Sequence, residues 1–274
     1  MLAEERRDIC EKALQEYLTS GKSMRDLGTN YQGITRGFLG GYFLAKGIDI
    51  YSRKSHVNDH IFDVIDTEEK AYWLGFLYAD GNVHKHNKSW HIELTLQERD
   101  FEHLRKYAAF IGFMREPKYR KNTKAYRIST GSRRMAEQLI EKGCVPKKSL
   151  ILTFPSHDIV PENLMRHFIR GYFDGDGCIC LRNNVHSVVP CVSVIGTKEF
   201  LEGLLNEYGG NEVQTIKKDK RSPSNTYEVL FHKDEGLRFL SYMYDTSSIY
   251  LQRKFDKYNI NTENNGDYSS SPRS

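Results

Sequence analysis

FIRGYFDGDG, residues 168–177, is a mostly apolar stretch of helical character that ends in two carboxylates and two glycines, Asp174-Gly175-Asp176-Gly177. A core helix has no structural need for acids at its end. The plan recurs upstream in YWLGFLYADG, residues 72–81: apolar residues, a Gly, three more residues, a small residue, Asp and Gly. Gly75 and Ala79 are four apart, as are Gly171 and Gly175, so each pair shares one helix face and leaves it almost bare. The pattern predicts that the two motif helices pack through these faces. Asp80 and Asp176 would then end at one tip, and Gly81 and Gly177 would stop the helices in the left-handed conformation. Two carboxylates held that close repel, and a divalent cation with oxygen ligands is the natural counterweight.

Each motif is followed by the same succession of elements. After the first come a hairpin of 82–86 and 90–97 about Asn87-Lys88-Ser89, a helix over 99–111, and a hairpin turning at Asn122-Thr123-Lys124. A helix over 135–142 closes this half. Ile92, Leu94 and Leu96 alternate with His91, Glu93 and Thr95, the period of a strand with one apolar and one polar face. After the second motif, a helix over 162–176, come strands at 178–182 and 189–195 and a helix over 197–208. A hairpin about Arg221-Ser222-Pro223-Ser224 and helices over 234–244 and 247–257 follow. Asp66 or Thr67 would cap the first motif helix. Repetition of helix, hairpin, helix, hairpin, helix predicts an α+β domain of two pseudo-two-fold halves, 65–155 and 156–260. Residues 261–274 are polar and read as a disordered tail.

Ahead of this domain, 1–55 carries a helix over 3–19, a short helix that Ser23 could cap, a turn, and ITRGFLGGYFLAKGI. The order suits a helix-turn-helix unit with Arg36 as a candidate contact, although Gly37, Gly40 and Gly41 weaken the third helix. A plain helical cap is the other reading. Residues 56–64 read as a linker. The chain has 274 residues and a formal charge of +4, which fits a nucleic-acid partner or an ordinary soluble surface. The five cysteines, Cys10, Cys144, Cys178, Cys180 and Cys191, lack paired zinc spacing and read as reduced thiols. Cys178 and Cys180 share a strand face. No segment has the length of a membrane span, and the charged N-terminus reads as that of an intracellular protein, cytoplasmic (nucleoid-associated) or organellar.

WLGFLYADG at 73–81 and IRGYFDGDG at 169–177 resemble the two signature motifs of single-chain LAGLIDADG homing endonucleases. The resemblance implies two αββαββα halves that meet along the motif helices, with saddle-shaped antiparallel sheets over DNA. It implies a monomeric, metal-dependent endonuclease cutting double-stranded DNA, with Mg²⁺ (or Mn²⁺ as substitute) held by Asp80 and Asp176 beside Gly81 and Gly177. At the position of Asp174 the first copy has Tyr78, so Asp174 is secondary rather than a metal ligand. Gln97 matches the water-positioning residue of such enzymes, without an amide counterpart at Gly196-Thr197. Lys148 and Lys254 match their terminal lysines, with Lys147 and Arg253 as rivals. Recognition would fall to strand residues facing the DNA: His84, His86, His91, Glu93, Thr95, Arg120 and Arg127, then Arg182, Lys217 and Lys218. The same histidines, His84, His86 and His91, allow a zinc reading that lacks a completing ligand. A LAGLIDADG-fold transcription regulator without nuclease activity, and an RNA maturase acting on its host intron, are the alternative functions. The nuclease reading also implies an intron-encoded or free-standing mobile element.

Overall fold

The structure, a computed structural model, describes residues 3–20, 22, 24–31, 33–48, 57–87, 89–184, 187–209, 214–219 and 225–266. Three helices come first: α1 (Ala3–Ser20), α2 (Met24–Asn30) and α3 (Arg36–Ala45). They bury their own cluster of Cys10, Ala13, Leu14, Tyr17, Leu27, Leu39 and Phe43. Thr35 caps α3 by accepting from the Phe38 amide. Gly37 and Gly41 face open space and serve no close packing within the chain, whereas Gly40 is buried.

The first half of the main domain runs α4 (Glu68–Asp80), β1 (Gly81–His86), β2 (Ser89–Gln97), α5 (Phe101–Phe110), β3 (Lys118–Arg120), β4 (Ala125–Thr130) and α6 (Arg133–Glu141). The second repeats it: α7 (Glu162–Asp176), β5 (Gly177–Asn184), β6 (Ser187–Gly196), α8 (Lys198–Tyr208), β7 (Lys217–Lys218), β8 (Tyr227–His232) and α9 (Lys233–Tyr244). Each half is thus αββαββα, and α10 (Gln252–Gly266) follows. The sheets have matching antiparallel orders, β1-β2-β4-β3 and β5-β6-β8-β7. Register in the first hairpin sets His84 opposite His91 and Asn82 opposite Glu93. Val83, Ile92, Leu94 and Ile128 therefore face the core, and the polar residues between them face out.

One apolar cluster spans both halves, with α4 and α7 at its centre. Every residue of α4 from Ala71 to Tyr78 is buried, as expected of a helix that is apolar all round. The crossing is backbone on backbone. A Cβ on Gly75 would lie 2.0 Å from the Phe168 carbonyl oxygen, and one on Gly171 would lie 1.9 Å from that of Tyr72. Arg170, fully buried in α7, donates to the carbonyls of Ile249 and Met243 (both 2.8 Å) and to Glu68 Oε1 at 2.6 Å. A buried guanidinium is tolerable only when its donors are matched in this way. Thr67, not Asp66, caps α4, because its Oγ1 accepts from the Lys70 amide while Asp66 pairs with Lys70 Nζ.

Four expectations change. Gly81 and Gly177 are extended (φ −72° and −87°), not left-handed. The chain passes from helix into strand without a turn, and glycine is required instead by contact. A Cβ at Gly81 would stand 2.6 Å from the Leu77 carbonyl oxygen, and one at Gly177 would meet the Phe173 ring at 2.1 Å. Residues 57–64 are not a free linker, since Phe62 is fully buried in the main core and the Asn58 amide donates to the Ile111 carbonyl. The helix placed at 247–257 begins only at Gln252, after a segment in which Thr246 has φ +59°. Its backbone continues to Gly266, into the stretch read as a tail. Residues 267–274, the 221–224 turn, Ser23 and Lys88 lie outside the described residues.

Candidate active site and nucleic-acid interface

Asp80 and Asp176 are the last residues of α4 and α7. Because the helices touch, the acids come together: a Cβ on Gly175 would lie 2.3 Å from Ala79 Cβ and 3.4 Å from Asp80 Oδ2. Both side chains keep access to solvent yet are ringed by protein. That crowding raises the Asp80 carboxyl, and Lys254, Lys148 and Arg253 pull it back down. Asp176 is pushed up to about 6, first by desolvation and then by the charge of Asp80, against the pull of Lys148 and Lys254. The pair therefore has a deficit of positive charge at its centre. Two carboxylates in that condition suit a hard divalent cation whose remaining ligands come from solvent or a substrate phosphate. Among the described residues no group of three or more His, Cys, Asp or Glu is arranged to hold a metal. His84, His86 and His91 form a ring cluster, with His84 stacked on His91 at 5.5 Å.

Two buried lysines frame the acids. Lys148 Nζ donates to the carbonyl of Gly81, the residue after Asp80. Lys254 Nζ donates to the carbonyls of Phe173 (2.5 Å), Asp174 (2.9 Å) and Gly177 (2.6 Å). An ammonium has three N–H donors, so Lys254 is fully engaged at the end of α7, where orphan carbonyls and the helix dipole favour a cation. Burial lowers it to about 8 against the carboxylates around it. Of the rivals, Lys147 is exposed with φ +58°, and Arg253 pairs with Asp100 at 3.0 Å. Gln97 is exposed at the end of β2, opposite Ala125.

Asp174 belongs to a different network. It is buried and accepts from the Tyr72 hydroxyl (2.7 Å), the Tyr244 hydroxyl (2.5 Å) and the Leu251 amide (2.7 Å). His103, held neutral by burial with its pKa near 3, donates through Nε2 to Tyr72. The network ties α4, α5 and α7 to the segment that leads into α10 and Lys254. Tyr78, the counterpart of Asp174, instead donates to the Lys142 carbonyl. Sequence reading missed Asp100, Tyr72, Tyr244 and His103. Their partners lie tens of residues away, beyond any local pattern.

On the outer face of the first sheet, Glu93 accepts from Arg127 Nη1 (2.8 Å) and Ser129 Oγ (3.0 Å). Asn82 Nδ2 and His84 Nδ1 are 3.2 Å apart. Thr95 and Arg120 are exposed, as are Lys217 and Lys218 on the second sheet. Arg36 is exposed at the start of α3. Arg182 lies on β5 with its side chain outside the described residues. No helix among the described residues is long and apolar enough to cross a membrane.

Residues 163–244 match the family model of a LAGLIDADG-like domain, in keeping with the resemblance drawn from the motifs. An uncharacterized protein of Methanocaldococcus jannaschii is 28% identical over 153 residues, 52% of this chain and 56% of that protein. The match thus spans little more than half the length of that relative. Similar solved structures include the I-LtrWI LAGLIDADG homing endonuclease bound to target DNA, at 11% identity, 74% coverage of this chain, 93% of that chain and a TM-score of 0.49. The I-AabMI LAGLIDADG meganuclease bound to uncleaved DNA gives 12%, 74%, 92% and 0.49.

Proposed function

We propose that this chain, whose second half carries a LAGLIDADG-like domain, is a metal-dependent endonuclease that cuts double-stranded DNA at a specific site. The observation that carries the reading is the meeting of Asp80 and Asp176 at the ends of two glycine-crossed helices. Lys148 and Lys254 offset the mutual repulsion of these acids only in part, and a bound cation would relieve the rest. Asp80 and Asp176 would hold Mg²⁺, with Mn²⁺ as substitute, and the bound ion would supply an activated water and charge neutralisation at the leaving oxygen.

The chain's own groups prepare that site. Lys254 and Lys148 fix the peptide carbonyls beside each acid and lower the electrostatic cost of ionising both. The pseudo-two-fold gives each half one acid and one sheet, which suits one strand of a duplex per half. His84, His86, His91, Thr95, Arg120, Lys217, Lys218 and Arg182 would meet bases and phosphates from the sheets. Glu93 and Arg127, paired with each other, would present one neutral, directional contact. The N-terminal helices would add affinity through Arg36.

The test is selection of cleaved sites from a randomised duplex library with Mg²⁺, followed by Asp80→Asn and Asp176→Asn. Each variant is expected to lose at least about a hundredfold in double-strand cleavage, since each deletes a charge at the reacting centre, while still shifting the selected duplex in a gel. Full cleavage by either variant, or by wild type in excess chelator, would refute the assignment.

A further inference from the structure

The outer faces of the two sheets differ in chemistry. Where the first presents histidines, Glu93 and Arg127, the second presents thiols at the root of β5. Cys178 Sγ and Cys180 Sγ are 3.4 Å apart, and both residues are exposed. Cys191, opposite Cys180 in the register, is buried with its Sγ 4.0 Å from His232 Nδ1. The first half has no counterpart, since Asn82 and His84 occupy the matching positions after its motif.

We propose that Cys178 and Cys180 are a dithiol modification site that reacts with low-molecular-weight disulfides, such as oxidised glutathione, and closes into an intrastrand disulfide that disables cleavage; the effect on cleavage rests on the nuclease reading above. One thiolate of the pair attacks the reagent, forming a mixed disulfide and expelling one reagent thiolate. The second cysteine then attacks the protein sulfur of that mixed disulfide, forms the Cys178–Cys180 bond and expels the other. The protein gives up two electrons and two protons, and the reagent is reduced to two thiols. The distance of 3.4 Å is already short, but a disulfide needs about 2.05 Å. Residues two apart on a strand stand roughly 6.6 Å apart at Cα, near the upper end of the range a disulfide spans. Closure therefore pulls on β5. The pull falls on a segment pinned just before Cys178 and between the two cysteines, because Lys254 Nζ holds the Gly177 carbonyl (2.6 Å) and Lys257 Nζ holds that of Ile179 (2.8 Å). Asp176 is one peptide bond away.

The experiment incubates the full chain with oxidised glutathione and reads intact mass, a non-reducing peptide map and cleavage of the selected duplex. Wild type is expected to lose two hydrogens without retaining glutathione, with the link mapped to Cys178–Cys180. Cys178→Ser and Cys180→Ser should each retain one glutathione, and Cys191→Ser should close like wild type. Wild-type cleavage should fall roughly tenfold and return with dithiothreitol, while the Cys178→Ser/Cys180→Ser double variant keeps its own untreated rate. A Cys180–Cys191 link, a persistent mixed disulfide in wild type, or closure without loss of cleavage would overturn the proposal. If untreated protein cuts no selected DNA, the nuclease reading fails, and the mass and the map still decide the dithiol.

Discussion

Asp176 carries a pH signature whose sign can be worked out. Its carboxyl sits at about 6 in the folded chain against an ordinary 3.8. Between those values the folded state binds the proton more tightly than the unfolded state, so stability falls as pH rises through this window and the penalty persists above it. Asp176→Asn removes that penalty. Without divalent metal its melting temperature should exceed that of wild type at pH 8, and the difference should shrink towards pH 4; scanning calorimetry checks both. Adding Mg²⁺ should stabilise wild type more than the variant, because only an intact site gains from binding. At limiting Mg²⁺, cleavage should fade as pH drops, because protons then compete with the cation for Asp176, and saturating Mg²⁺ should shift that loss to lower pH. Repetition in the sequence was enough to single out Asp80 and Asp176, because both copies end in Asp-Gly. It could not reveal what Asp174 does: its partners Tyr72, Tyr244 and Leu251 are brought to it only by the folded chain.

At the scale of elements, the crossing of α4 and α7 decides the domain. Ala is normally the better helix residue by about 1 kcal/mol. Gly171→Ala should nonetheless destabilise the protein by several kcal/mol, because the new Cβ would sit 1.9 Å from the Tyr72 carbonyl oxygen. Gly37→Ala, facing open space in α3, should gain about 0.5–1 kcal/mol in stability of the N-terminal helices. Urea titration of the two variants checks the contrast, and a stable Gly171→Ala protein would mean the helices do not cross as described. The motif helices and the strands were legible because their periods are strong and occur twice. The start of α10 was not, since the break at Thr246 to Leu251 is set by bonds to Glu68 and Asp174 in other elements. Nor was the fate of residues 57–64, whose apolar residues follow neither a helix nor a strand period although Phe62, with Val57 and Ile61, anchors the segment on the core.

For the whole molecule, the separate cores of α1–α3 and of the main domain make the N-terminal unit removable in principle. Deleting residues 1–55 should leave the melting of the main domain and its chemistry intact. The deletion should weaken DNA affinity and flatten its dependence on salt, since fewer phosphates are neutralised. Binding isotherms at several salt concentrations provide the check, and an unchanged slope would leave the unit a helical cap. The absence of any spacer between α4 and β1, and between α7 and β5, has a consequence for fidelity. On the proposed function, each acid is welded to the root of a strand that would read the duplex, so it would work as the short arm of a stiff lever. A duplex that fits poorly along the strand misaims the carboxylate as well as losing contacts. Discrimination would then show more strongly in the rate of cutting than in the strength of binding, with near-cognate sites held but left whole.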